Sequence, residues 1–169
     1  DFSSFRTNEY PQAAVNPVNG RIYVTYDNKG SSFDRADVFF VYSSNSGATW
    51  STPIKVNSDA TTNDQWMPTI AVTPDGARFM IGWYDRRSDS LNNFIERWGR
   101  IGIDNGNTGN AVTFLPDFAI SPQFLPEFGR DNMVNSVYMG EYDQMAADNN
   151  FFYTAWGDNR DDLTVSGET

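Results

Sequence analysis

Reactive side chains in this chain are limited to a few residue types. The 169 residues include no His and no Cys, so the commonest general base, thiolate nucleophiles and disulfides are excluded. Any chemistry must use Asp, Glu, Tyr, Ser, Lys or Arg. Such residues concentrate in the run "EYD" at 141–143 and in "DRR" and "DNRDD". Arginine binds carboxylates bidentately through its planar fork, and the candidates for anion binding are Arg86, Arg87, Arg130 and Arg160.

Short strands, rather than helices, must position these side chains. Segments rich in β-branched and aromatic residues recur between Gly, Pro, Asn and Asp, which is typical of strands and turns. Helical periodicity is nearly absent, and only about 115–147 leaves room for a helix or a long ordered loop. The sequence therefore predicts an all-β protein. The predicted strands lie at 21–26, 37–43, 52–56, 69–73, 78–84, 94–103, 111–120 and 151–156.

One supersecondary unit occurs three times along the chain. The segments that begin at Ala14, Ala71 and Met145 each combine a short apolar strand, a polar turn, an aromatic strand and an Asp/Asn/Arg cluster. The first two segments align without a gap, and the third needs a shorter turn. Four-stranded sheets repeated in this way are typical of a β-propeller, and a stacked sandwich is the alternative. The aromatic strands end at Tyr26, Trp83 and Trp156.

A turn motif lies between the third and fourth predicted strands of the first unit. The stretch "YSSNSGATWSTP" (42–53) follows the pattern S-x-[D/N]-x-G-x-[T/S]-W. Hydroxyl and amide side chains can bond the turn amides, Gly accepts a positive φ, and the Trp ring can act as a wedge between neighbouring sheets. This motif resembles the Asp-box, or bacterial neuraminidase repeat, of sialidase-like propellers. Its residues here are Ser43, Asn45, Gly47, Thr49 and Trp50, with Asn45 in place of the more usual Asp.

The resemblance covers about Tyr10 to Arg160 and implies a sialidase-type β-propeller. The chain would supply about two and a half of the six blades, as one propeller segment with units at about 10–60, 66–121 and 140–169. An open propeller would expose unpaired sheet edges. We therefore expect the chain to be a fragment of a longer one, which we favour, or to be completed by other chains.

Sialidases hydrolyse terminal sialic acids with three arginines, an Asp acid/base and a Tyr nucleophile assisted by a Glu. The resemblance makes Tyr142, Glu141 and Asp143 the catalytic candidates, although only one of two adjacent strand residues can line a central funnel. The family's Arg-Ile-Pro motif is not matched, because the corresponding segments 9–11, 66–68 and 141–143 supply no Arg. The candidates for substrate binding are Arg86, Arg87, Arg130, Trp66 and Trp98.

Several of these residues have a structural interpretation as well. An Asp/Arg cluster follows the aromatic strand at the same place in two units, as Asp85, Arg86 and Arg87 and as Asp158 and Arg160. This repetition favours a scaffold role, in which the Asp bonds backbone amides and the Arg bridges blades. We expect the Trp residues at repeat positions to lie between blades. Trp66 and Trp98 break the repeat and are better candidates for a binding surface.

Charge and composition limit the classes of partner that the chain can bind. The net charge is −10, and the cations form no cluster, which argues against nucleic acid. No apolar run is long enough to span a bilayer. The start of the chain lacks both a signal-peptide pattern and an initiator Met, so it looks processed, excised or partly represented. We expect a secreted protein that binds or hydrolyses glycans or glycoproteins, with a non-catalytic adhesion, surface or assembly module as the alternative. No cofactor is expected, although the Asx-rich turns at 104–107 and 158–162 could hold calcium.

Overall fold

Three antiparallel sheets make up the fold in a computed structural model, which describes residues 10–29, 36–106, 111–124 and 142–158. These residues contain no helix, so the all-β prediction is confirmed. Accordingly, nothing in the described ranges is a helix that could cross a membrane. The first sheet contains β1 (Gln12–Val15), β2 (Ile22–Asn28), β3 (Asp37–Ser43) and β4 (Ile54–Lys55), in that order.

The second sheet repeats this order and is longer. Its strands are β5 (Gln65–Val72), β6 (Arg78–Asp85), β7 (Glu96–Asp104) and β8 (Val112–Phe114), and a fifth, β9 (Phe118–Ala119), also pairs with β7. The third sheet is the hairpin of β10 (Gln144–Ala147) and β11 (Phe152–Ala155).

The strand registers confirm the alignment of the three repeats. In each unit the first two strands pair antiparallel, and the residues that close the hairpin are those that the alignment makes equivalent. The third hairpin has the shorter turn that the alignment requires. The closing pairs are Val15 with Ile22, Val72 with Phe79, and Ala147 with Phe152.

The main core lies between the first and second sheets. The Tyr23 and Phe79 rings stack with their centroids 4.7 Å apart, and the Phe40 ring lies 5.1 Å from that of Phe79. Trp83 from the second sheet is fully buried in the same cluster. Alternate residues of β2 and β6 point to opposite sheet faces, which is why one face of each strand supplies this core.

Two predicted strands differ from the observed ones by more than two residues at an end. The predicted strand 111–120 is split into β8 and β9, and the pairing with β7 shifts by one residue between them. Pro116 lies at this break, and a proline cannot donate a ladder hydrogen bond. The strand predicted at 69–73 begins earlier, at Gln65, because a bulge keeps its first residues paired with β6.

Side chains from both sheets meet at the turn end of the core. The Asp104 carboxylate at the end of β7 accepts hydrogen bonds from Arg21, Tyr23 and Asn16 of the first unit. Asn16 also donates to the Gly76 carbonyl at 2.8 Å. Burial disfavours ionised Asp104, but the hydrogen bonds and Arg21 together outweigh that cost and lower the pKa of Asp104. The contacts of Asp104 are therefore those of an inter-sheet junction.

The first strands of the three sheets lie next to one another. β5 contacts β1 and β2 of the first sheet on one side and β10 of the third sheet on the other. Gly82 of β6 lies close to the Met145 methyl group of β10, because a Cβ added at Gly82 would come within 2.8 Å of it. The N-terminal ends of β1, β5 and β10 thereby approach one another and position the site described next.

Candidate functional site

A bulge at the start of β5 forms one wall of a small cleft. Between Trp66 and Thr69 the pairing with β6 shifts by one residue, and Met67 adopts a φ of 50°. That left-handed conformation is strained for a long side chain. The cleft has room for about 10 Å³, roughly one water molecule, and is lined by Tyr10, Gln12, Met67, Pro68, Thr69 and Asp143.

A buried ion pair lies beneath this cleft. The Arg97 Nη1 atom is 2.8 Å from Asp143 Oδ2, and the exposed fractions of the two side chains are 0% and 7%. Arg97 also donates from Nη2 to the Thr69 hydroxyl at 3.0 Å. The guanidinium lies over the Tyr84 ring, 4.7 Å from its centroid. Strand β7 thus directs a full positive charge into the space between the second and third sheets.

Tyr84 connects the ion pair to the end of the third unit. Its hydroxyl donates to Asp143 Oδ1 at 3.0 Å and accepts from the Gly157 amide at 3.0 Å. The ring is 1% exposed and belongs to the smaller apolar cluster, against which Trp156 packs. The phenol and the carboxyl group are therefore held in fixed positions.

Burial controls the protonation of these groups. It raises the pKa of Tyr84, and the charge of Asp143 raises it further. Burial also raises the pKa of Asp143 above its ordinary value, although Arg97 and the Tyr84 hydroxyl favour the ionised form. Burial lowers the pKa of the Arg97 guanidinium against the effect of Asp143. Each charge is costly here and persists because the other compensates it.

The groups at the site differ in whether a ligand can reach them. Arg97 and Tyr84 both donate hydrogen bonds to Asp143, so none of the three side chains is free to bond a ligand without a rearrangement. Tyr142, next to Asp143 in the chain, is 88% exposed, and Tyr10 at the cleft is 48% exposed. Exposed aromatic rings beside polar groups can stack on a sugar ring while the polar groups accept or donate hydrogen bonds.

The comparisons with known proteins identify no family for this chain. No protein-family model, curated protein or solved structure matches the chain.

The predicted catalytic run is only partly described. Asp143 lines the cleft and Tyr142 precedes it in the chain with 88% of its surface exposed, whereas Glu141 lies outside the described residues. Arg130 and Arg160 lie outside them as well. Of the two described residues of this run, Asp143 contacts the buried cluster and Tyr142 is exposed.

Arg86 and Trp66 lie together in the interior. Trp66 is 2% exposed, so the expectation that it forms part of a binding surface is wrong. The extra residue of the β5 bulge turns it inward, where its ring stacks on that of Tyr84 at 5.6 Å. The Arg86 guanidinium lies 5.1 Å from the Trp66 ring centroid and 3.7 Å from Asp64.

Arg87 joins the first two sheets, as the scaffold interpretation expects. Its guanidinium bonds Asp85 at 2.7 Å and Asp117 at 2.8 Å, and Asp117 accepts from the Ser58 hydroxyl of the first unit at 2.6 Å. Asp85 also accepts from the Arg87 amide at 2.7 Å. The half-buried Trp98 ring lies 3.9 Å below the Arg87 guanidinium and is thereby shielded from a ligand on that side.

The turn at 42–53, which resembles an Asp-box, has the hydrogen bonds that its residues predict. The Gly47 amide donates to the Ser43 hydroxyl at 2.9 Å, and the Thr49 amide donates to Asn45 Oδ1 at 2.9 Å. Gly47 has a φ of 86°. Trp50, however, is 45% exposed, so its predicted burial between two sheets is not found among the described residues. Its ring instead leans over Gly47.

Sequence reasoning missed Arg97 and Tyr84, the two central residues of the buried cluster. A charged residue in an aromatic strand is usually solvent-facing, which hides Arg97. Its equivalent in the first sheet is the fully buried Val38, and the equivalent of Tyr84 is Asp27. A departure from the repeat at these two positions was the available signal.

The described residues contain no group of acidic side chains arranged to hold a metal ion.

Proposed function

We propose that this chain is part of a secreted, sialidase-like β-propeller that binds extracellular glycans at the cleft beside Asp143. The repeated sheets, the Asp-box turn and the adjacent first strands β1, β5 and β10 support the propeller. The carrying observation is the strained bulge at Met67, which builds the cleft next to Asp143. Strained residues that persist are concentrated at ligand sites.

The small size and the polarity of the cleft favour contact with the edge of one sugar unit. The cleft has room for about 10 Å³, roughly one water molecule, which is far below the roughly 300–1,000 Å³ of typical ligand pockets, so a glycan would lie across its mouth with one ring against the lining. Gln12 and Thr69 supply hydrogen-bonding groups, Pro68 and Met67 supply apolar surface, and Tyr10 supplies an accessible ring. A polar floor with an aromatic edge fits a carbohydrate better than an apolar ligand.

Hydrolysis is the second candidate, and the Tyr84–Asp143 pair favours it. A phenol 3.0 Å from a carboxyl group beside an arginine has the residue types that the resemblance implies, and a raised pKa suits a general acid. Binding without hydrolysis is better supported, because Tyr84 and Arg97 are buried and cannot contact a sugar in this arrangement.

Sialyllactose binding tests the proposal. We expect α2,3- or α2,6-sialyllactose to bind in a titration observed by saturation-transfer NMR, with no release from a fluorogenic sialoside. Tyr10→Ala should weaken binding about 5- to 10-fold, because Tyr10 is the exposed aromatic residue that lines the cleft and loss of one stacked aromatic costs roughly 1 kcal/mol or more. Phe151→Ala is the matched control, because Phe151 is 63% exposed but lies at the turn end of the β10–β11 hairpin. Its affinity should be unchanged.

Three results would change this conclusion. An equal loss in both variants, or no binding to sialylated and unsialylated glycan arrays, would remove the cleft as a glycan site. Turnover of the sialoside that disappears in Tyr84→Phe would assign hydrolysis instead.

A further inference from the structure

The first and second sheets each present one face to the next sheet in the chain. We call this face, and the equivalent face of the third sheet, the forward face, and we call the opposite face the backward face. Tyr23, Val38 and Phe40 are on the forward face of the first sheet, and they pack on Phe79 and Trp83 of the backward face of the second. The forward face of the first sheet and the backward face of the second thus form one continuous apolar interface.

The second and third sheets repeat this contact. Gly82 and Tyr84 are on the forward face of the second sheet. Met145 approaches Gly82 closely, and Trp156 packs against the cluster that contains Tyr84. Since successive strand residues alternate between faces, Met145 and Trp156 belong to the backward face of the third sheet. Two equivalent interfaces therefore occur in series.

The forward face of the third sheet is accessible. Tyr153 is 54% exposed, the neighbouring Phe151 is 63% exposed, and their ring centroids are 6.4 Å apart. A depression on this sheet is lined by Gln144, Met145, Ala146, Tyr153, Thr154 and Ala155. By the repeat registers, Ala146 and Ala155 are equivalent to Ala71 and Gly82. Ala71 and Gly82 lie where the third sheet approaches the second. Ala146 and Ala155 therefore leave the same close approach open to another sheet.

The backward face of the first sheet is the matching surface. Ile22, Val24 and Tyr26 on this face are half-buried, and Val15 beside Ile22 is 57% exposed. The residues at the positions of Ile22, Val24 and Tyr26 in the second sheet are Phe79, Ile81 and Trp83, all of which are 0% exposed. The same type of surface is thus core in one sheet and accessible in another. Contiguous apolar patches of this kind mark interaction sites.

We propose that a second copy of this chain binds head to tail, with the forward face of its third sheet against the backward face of the first sheet. A second copy is the occupant because the two accessible faces are the two halves of the interface that the chain already forms twice. Such a heterologous contact uses different surfaces on the two partners, and closes into a ring or extends according to its rotation. This inference does not depend on glycan binding.

Complementation between two blocked variants tests the contact. Ala155→Arg places a charge on the forward face of the third sheet, and Val24→Arg places one on the backward face of the first. By sedimentation velocity, the unmodified chain should sediment as at least twice the 19.0 kDa monomer, and each variant alone as a monomer. An equimolar mixture should form a 1:1 heterodimer, because each variant keeps one intact face. Leu91→Arg, at a 75% exposed loop position, is the control and should assemble like the unmodified chain.

The mixture also guards against misfolding, since an unfolded variant cannot complement the other. Far-UV circular dichroism of each variant checks this independently. A folded chain that stays monomeric at every concentration would overturn the proposal and leave these faces to a different partner or a further sheet. A dimer that resists Val24→Arg would also overturn it, because the contact would then not be head to tail.

Discussion

Asp143→Ala is expected to lower the free energy of unfolding by about 3–5 kcal/mol, the usual cost of leaving a buried charge unpaired. Arg97 is fully buried, and its carboxylate partner is 2.8 Å away. Without Asp143 the guanidinium would keep the Thr69 hydrogen bond and the Tyr84 ring but would have no counter-charge among its described contacts. Chemical denaturation, with the denaturant slope checked for two-state behaviour, measures the effect.

A double-variant cycle distinguishes the ion pair from simple loss of packing. Arg97→Met combined with Asp143→Leu should be closer in stability to the unmodified chain than either single change, because apolar replacement of a buried pair is often neutral. Asp143→Asn keeps the shape and can still accept from Tyr84, so its cost should be intermediate. If Asp143→Ala costs less than about 1 kcal/mol, the pair is in effect solvated, and the buried site described above is wrong.

Trp83→Ala should cost about 3–5 kcal/mol, as expected for truncation of a large buried aromatic. The ring is 0% exposed in the core between the first two sheets, and its Nε1 donates to Asp85 Oδ2 at 2.7 Å. Trp83→Phe keeps most of the apolar volume but loses that hydrogen bond, and we expect it to cost clearly less. Thermal and chemical denaturation of the three proteins give the comparison.

Trp50→Ala is the matched control for Trp83→Ala. Trp50 is 45% exposed and lies on the Asp-box turn, so its removal should cost less than half as much. An equal loss at both positions would mean that Trp50 is covered by another sheet in solution, as the wedge interpretation expects.

The strands could be predicted well where a short stretch of sequence contains both the strand pattern and the turn residues that end it. The strand at 37–43 was predicted with its observed bounds, because an apolar aromatic run ends there at a Ser/Asn/Gly turn. The hairpin registers followed from the repeat, since equivalent turns fix equivalent pairs. The early start of β5 and the break at Pro116 were missed, because both involve bulges and a bulge leaves no simple period in the sequence.

The site was predicted less completely, for a physical reason. Asp143 was identified from its position at the start of the third unit, but its partners come from β6 and β7 far along the chain. Whether an arginine such as Arg97 faces solvent or an acid depends on which sheet covers it, which local sequence does not specify. Trp66 was misplaced for the same reason, since a one-residue bulge decides which face it occupies.

The central claim is that successive sheets pack through equivalent faces, and methyl-selective NMR tests it most directly. With ¹³C-labelled methionine methyl groups, we predict a nuclear Overhauser effect between the Met145 methyl and the Gly82 α-protons, together with one between the Tyr23 and Phe79 rings. These contacts report the second and first interfaces respectively. A folded protein that shows the Tyr23–Phe79 effect but none from Met145 to Gly82 would contradict the serial packing of the three sheets.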